Sequence, residues 1–286
     1  MKKMKDKLGN EMGYFKGMPR GAFGEILDEM QHEKVNTCRT SSISLTESWA
    51  PEHLDKWRNV FAPYLGEIDF ENQLKFWEFP TWPMADGKIV GDPSMTDIMI
   101  LTADHQIAIE GKYTEYTRFK DETIAEWLQR GGAGRFLLRP RLKAWFEYLK
   151  SANATKLGDY REMIKKCGDV GYQFLHRTAS ACFKCRENGD RKPVVVYQLF
   201  YKKGDAAHIA DMETYKAKLR KWADMLKLKG LTFLIVSVPV INDEEVEKRF
   251  GGLKSEIFEK MKLETVYEFD WQGISVESVL KSEEEK

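Results

Sequence analysis

Residues 91–113, GDPSMTDIMILTADHQIAIEGKY, constrain the fold more than any other stretch of this chain. Two apolar runs rich in β-branched residues, DIMILT and HQIAIEGKY, flank the short polar turn Ala103–Asp104. This predicts an antiparallel hairpin over 95–113. Side chains alternate faces along a strand, so Glu110 and Lys112 point the same way. The partner of Asp97 depends on the turn. A two-residue turn sets Thr102 against His105 and Asp97 against Glu110. A four-residue turn pairs Asp97 with Lys112 on the same face. A three-residue turn puts Asp97 on the other face, because a one-residue slip exchanges faces.

Two carboxylates opposed across a strand pair repel each other. Burying them is costly unless a cation neutralises them. Hard oxygen ligands converging on one spot suit magnesium or manganese, and the Lys112 ammonium beside them is placed to orient a water or help deprotonate it. The plain alternative is a half-exposed hairpin with an ordinary salt bridge. Glu-x-Lys recurs at Glu284–Lys286 in a tail that reads as disordered, so the strand context carries the signal.

The 286 residues suffice for a large core and one or two domains. An aromatic share of 12% with eight Trp argues against extensive disorder. Net charge is zero, so bulk charge does not announce a nucleic-acid partner, although a catalytic site needs only local positive charge. The longest apolar stretch, LTFLIVSVPV at 231–240, is strand-sized, which predicts no transmembrane helix. The basic N-terminus lacks the apolar core of a signal peptide. Four Cys without a secretion signal suggest reduced thiols and a cytoplasmic home.

Helices are expected at 21–33, 50–62, 121–130, 139–151, 170–186 (with Asp169 as N-cap), 211–228 and 243–262, the last broken near Gly251-Gly252. Strands are expected at 72–79, ending at Pro80, and at 194–201 and 231–240. A β-like piece at 264–270 precedes an acidic tail. The Pro/Gly-rich stretch 80–93 reads as loop. The runs at 194–201 and 231–240 are almost continuously apolar, as in strands covered on both faces. Together these elements predict an α/β fold, a mixed central sheet flanked by helices.

This order of elements and residues resembles the PD-(D/E)XK phosphodiesterase superfamily, the restriction-endonuclease-like nucleases. Residues 50–201 carry the resemblance, at the level of motifs. It implies a restriction-endonuclease-like core at 66–241, with an N-terminal helical extension packed on it (1–65) and a C-terminal helical and β extension ending in the acidic tail (242–286). It further implies that Asp97, Glu110 and the carbonyl of Gly111 hold a Mg²⁺ or Mn²⁺ ion, with Glu78 in FWEFPT as an additional acidic ligand. Lys112 would contact the attacking water. Gln173 is similar in place to the helix Gln of the RecB-like members. Two positions depart from the family pattern: Arg177 stands where a Tyr is usual, and Thr96 rather than Pro precedes Asp97. The implied activity is Mg-dependent endonuclease cleavage of nucleic acid, DNA in the first instance. Restriction, anti-phage defence and repair are the family's common settings.

Segment 127–166 holds ten Lys or Arg against three acidic residues. Arg130, Arg135, Arg139, Arg141, Lys143 and, on the later helix, Arg177 are therefore candidates for gripping phosphates. A solvated helix face is the bland alternative. Gln173 and Arg177 lie one helical turn apart, whereas His176 is off that line and Ser180 has no identifiable base. Cys182-x-x-Cys185, near Cys167 and His176, is a weak zinc signal and fits as small core residues. Trp77, Trp82 and Trp127 read as core. Rival readings are a binding module of the same fold without catalysis, a subunit silent until a partner or signal switches it on, and a metal-free scaffold. A homodimer is the default for a symmetric assembly.

Overall fold

The longest apolar runs become the central strands of one sheet. The computed structural model describes residues 13–31, 39–116, 122–130, 135–153, 158, 160–185, 187, 189–227, 229–251 and 254–279. In chain order these form β1 (Tyr14–Phe15), β2 (Met18–Pro19), α1 (Phe23–Met30), α2 (Ser41–Ser48), α3 (Leu54–Leu65), β3 (Leu74–Thr81), β4 (Met84–Ala85), β5 (Lys88–Ile89), β6 (Ser94–Leu101) and β7 (His105–Lys112). Then follow α4 (Ile124–Gln129), α5 (Arg135–Ser151), α6 (Tyr160–Cys167), α7 (Tyr172–Cys182), β8 (Lys192–Lys202), α8 (Ala206–Leu226), β9 (Thr232–Val240), α9 (Asp243–Phe250), α10 (Lys254–Met261) and β10 (Ser275–Ser278).

The eight-stranded sheet runs β10-β9-β8-β7-β6-β3-β1-β2. Strands β3, β6 and β7 form an antiparallel meander, and β7, β8 and β9 are parallel. Each sheet face has its own apolar layer. Ile107 and Ile109 of β7 join Ile26 (α1), Ile43 (α2), Trp57 (α3) and Val246 (α9) on one side. Ala108 of the same strand joins Ile124 (α4), Leu142 (α5), Phe174 (α7) and Met212 (α8) on the other. The expected α/β architecture, a mixed sheet flanked by helices, is therefore present. The sheet also draws strands from residues 14–19 and 275–278, far apart in the sequence.

Several elements differ from expectation for identifiable reasons. The helix expected at 170–186 spans only Tyr172–Cys182, and its N-cap is Gly171 rather than Asp169, which pairs with Lys221 at the surface. Thr123 and Glu126 close a capping box that starts α4 at Ile124. Helix α5 begins at Arg135, earlier than expected, and carries Pro140 in its second turn. Asp205 caps α8, which starts five residues before the expected 211. Strand β3 continues through Pro80 to Thr81, and the loop after it holds the small hairpin β4–β5. Residues 264–270 supply only an isolated bridge, Val240↔Phe269, and the edge strand is β10 instead. The terminal acidic residues 280–286 and the basic residues 1–12 lie outside the described residues.

Candidate metal and phosphate site

The turn between β6 and β7 has two residues. Thr102 donates its N–H to the His105 carbonyl at 2.9 Å. The Thr102 hydroxyl oxygen accepts the N–H groups of Asp104 (3.2 Å) and His105 (2.8 Å), fastening the turn from inside. The resulting register pairs Ile98 with Ile109, and one further step brings Asp97 opposite Glu110. Of the three alignments open to the sequence, this is the one that opposes the carboxylates.

The ladder then changes character. Gly111 N–H donates to Asp97 Oδ2 at 2.8 Å, a side-chain partner where a backbone one would continue the ladder. Gly111 has a second reason to be glycine: a Cβ there would lie 3.0 Å from Leu45 Cδ2 and 3.3 Å from Ser41 Cβ, so helix α2 can approach closely. Glu115, just beyond β7, accepts both the N–H and the hydroxyl of Ser41 at 2.9 Å. That carboxylate caps the N-terminus of α2, where the helix dipole favours negative charge. The end of β7 is thus clamped to α2 on the face opposite Glu110.

Glu110 is the hub. It is 3% exposed and Lys112 7%, so neither charge is solvated and each needs a partner. Lys112 Nζ donates to Glu110 Oε1 at 2.7 Å, and Gln173 Nε2 donates to the same oxygen at 3.1 Å. Arg177 Nε lies 2.6 Å from Glu110 Oε2. That contact is ionic without being a hydrogen bond: both atoms are buried, and neither has a hydrogen-bond partner. Gln173 and Arg177 reach Glu110 together because i and i+4 residues stack on one helix face. Arg177 Nη1 donates to the Ser94 hydroxyl (3.2 Å), which also meets His176 Nδ1 (2.7 Å) and accepts from the Ser180 hydroxyl (3.4 Å).

The charges reinforce one another. Burial, then Glu110, push the Asp97 carboxyl up to about 7, against the pull of Arg177, Lys112 and the Gly111 N–H. Burial works against the Lys112 ammonium, yet Glu110 and Asp97 lift it above its ordinary value. Burial likewise opposes the Arg177 charge, and Glu110, Asp97 and Glu78 together more than offset it. Burial, aided by Arg177 and Lys112, holds the His176 imidazole well below the usual histidine range, so it is neutral.

Glu78 is half-buried and takes a left-handed φ of 49°, uncommon for a residue other than Gly, Asn or Asp. Its neighbours pair as Trp77↔Ile98 and Phe79↔Thr96, so it sits opposite Asp97 of β6. This irregularity brings Phe76 and Phe79 onto one face, with ring centroids 5.3 Å apart. Backbone strain of this kind costs about 1–3 kcal/mol and clusters at functional sites.

The structure therefore gathers Glu78, Asp97, Glu110, Gly111, Lys112, Gln173 and Arg177, and it adds Ser94 and His176, which sequence reasoning did not place there. No sequence signal marks Ser94. Of the basic candidates Arg177 is in the cluster, and Arg141 acts on its edge, helping to hold down the His176 imidazole. Arg130 is exposed and bonded to Glu122 at 2.6 Å. Arg141 spans Asp92 (3.6 Å) and the Val90 carbonyl (3.4 Å), between β5 and β6, and Lys143 faces Asp86 of the β4–β5 turn at 4.0 Å, so both tie α5 to the segment between β3 and β6. Arg139 is exposed, and the Arg135 side chain lies outside the described residues. Cys167, Cys182 and Cys185 are buried in the apolar layer and form no disulfide with one another. Trp77 and Trp127 are core, whereas Trp82 is 41% exposed, contrary to expectation.

Among the described residues, no group of three or more His, Cys, Asp or Glu converges as a metal cage. None of the described helices is long and apolar enough to cross a membrane. No curated protein and no solved structure matches the chain. The model of a domain of unknown function, DUF6946, matches residues 23–244, a span that holds every member of this cluster, and the chain belongs to that family.

Proposed function

We propose that this protein is a metal-dependent nuclease with a restriction-endonuclease-like core that hydrolyses phosphodiester bonds in DNA. The observation that carries this reading is the two-residue turn, which sets Asp97 against Glu110 with Lys112 Nζ 2.7 Å from the latter. The donor set fits a hard divalent cation. Glu110 Oε2 carries no hydrogen bond; the Arg177 guanidinium at 2.6 Å stands where a divalent cation would neutralise the same oxygen. Asp97, Glu110 and the Gly111 carbonyl would hold Mg²⁺ or Mn²⁺, with Glu78 as a further acidic ligand.

When bound, such an ion supplies charge stabilisation at the phosphoryl oxygens and a lowered pKa for water. The chain's own residues do the rest. Gln173 fixes the Glu110 carboxylate plane. Lys112 holds the attacking water or the charge that develops on phosphate. Neutral His176 and Ser94 set the position of Arg177. Incubating plasmid with Mg²⁺, against an EDTA control, tests the reading. Wild type should cleave, and Lys112→Ala should be slower by about 10²–10³-fold, as for loss of one stabilising donor. Equal cleavage by the two proteins sinks it.

One observation favours a second reading. Lys112 and Arg177 already neutralise Glu110, so the cluster stands without a metal. A catalytically silent subunit, or one activated by a protein partner within a nucleic-acid-processing or defence complex, would look the same. Purified protein that binds Mn²⁺ and cleaves only in a complex supports activation by a partner. The Arg139 and Lys143 face remains the best candidate for backbone contacts to DNA.

A further inference from the structure

We infer that Arg177 is a phosphate-responsive gate on the cation position: it occupies Glu110 until a phosphodiester monoanion draws it away, so that divalent cation and phosphodiester bind cooperatively. The inference rests on the metal reading above and adds to it what controls loading.

Three observations carry it. Glu110 has three neighbours, and they are unequal. Lys112 and Gln173 make directed hydrogen bonds to Oε1, whereas Arg177 meets Oε2 by charge alone. Of the two cations on Glu110, Arg177 is therefore the one not fixed there by a directed bond. Second, the Arg177 guanidinium is already held from two sides, by Glu110 at Nε and by Ser94 at Nη1. It has a second anchor to pivot on and further N–H donors for an oxyanion, and a guanidinium fork suits phosphate. Third, with all three carboxylates ionised, charge is matched in the doubly liganded state. Three carboxylates (Glu78, Asp97, Glu110) face two fixed cations (Lys112, Arg177). Adding a divalent ion leaves one positive charge in excess, and one phosphodiester charge cancels it. A buried site pays heavily for unbalanced charge, so each ligand favours the other.

Mn²⁺ titration of the full chain by calorimetry at pH 8 tests this, with and without an excess of dimethyl phosphate, a hydrolysis-resistant diester. Trimethyl phosphate, of similar shape and no charge, is the control. Wild type should bind Mn²⁺ about tenfold more tightly with the diester and no more tightly with the triester, within the usual range of coupling. Arg177→Gln should bind Mn²⁺ about tenfold more tightly than wild type without any diester, and should gain nothing from it. Ser94→Ala, which keeps the cluster's charges, should fall between them and serves if Arg177→Gln does not fold. Wild-type Mn²⁺ binding that is indifferent to the diester, or unchanged in both variants, overturns the gate and leaves the metal reading standing. No Mn²⁺ binding by any protein under any condition overturns both.

Discussion

Two buried polar clusters at the same level of the sheet, one on each face, are built differently. On the α2 face, Gln198 of β8 accepts the Trp49 indole N–H at 3.0 Å and donates to the Ser48 hydroxyl at 2.8 Å, which in turn donates to the Leu45 carbonyl at 2.8 Å. Every member is neutral and bonded. On the α7 face, Gly111, the strand neighbour of Gln198, is flanked by Glu110 and Lys112, which are charged, and Glu110 Oε2 and Arg177 Nε lack hydrogen bonds. A satisfied neutral network fixes one packing. A buried ionic cluster adds little as scaffold, since an apolar pair of similar volume is often as stable. The contrast separates a satisfied neutral network from an ionic cluster within a single sheet.

The largest test of that contrast is truncation. Glu110→Ala strands two buried cations and should cost about 3–5 kcal/mol in metal-free urea unfolding. Gln198→Leu removes one satisfied neutral hub and should cost about 1–3 kcal/mol while leaving Mn²⁺ binding intact. A Gln198→Leu protein that unfolds more easily than Glu110→Ala, or that loses Mn²⁺, breaks the comparison.

A smaller effect sharpens it through pH. Asp97 stands at about 7 in the folded protein, and burial pushes Glu47 of α2, which accepts the Val266 N–H, up to about 8. Both lie above their ordinary values. The stability they lend is full below about pH 4 and is lost as pH rises through the folded values. Asp97→Asn and Glu47→Gln should each match wild type near pH 4 and exceed it at pH 9, by roughly 1–3 kcal/mol. Mn²⁺ should abolish the advantage of Asp97→Asn, because the cation favours the ionised carboxyl, and leave that of Glu47→Gln untouched. The same Mn²⁺ effect on both variants would erase the distinction between the faces.

The smallest effect concerns the surface. Arg130→Ala should change stability by no more than about 0.5 kcal/mol, since its pair with Glu122 is exposed. Reversing Arg139 and Lys143 to Glu should weaken DNA binding alike on all sequences and flatten its salt dependence. Unaltered DNA affinity removes that helix from the interface.

What the residue pattern could and could not reveal follows the range of the forces. The β6–β7 hairpin was legible because its apolar, β-branched runs and short polar turn are local, though the turn length was not, and so was the pairing of Gln173 with Arg177 one helical turn apart. Helix α2 was not. Its sequence, SSISLTES, lacks an apolar stripe, and its N-terminal cap comes from Glu115, 74 residues away. The left-handed backbone at Glu78 and the convergence of Ser94 with His176 also depend on tertiary context. Gln173 and Arg177 were visible as a pair, but that Arg177 would rest on Glu110 followed only from where α7 lies across the sheet.

The most direct measurement is an anomalous-difference map from a crystal soaked in Mn²⁺ and dimethyl phosphate. The account predicts one peak bonded by Asp97 and Glu110, with Arg177 moved off Glu110 toward the phosphate. No peak at that position under saturating Mn²⁺, with the Arg177–Glu110 contact intact, would contradict it.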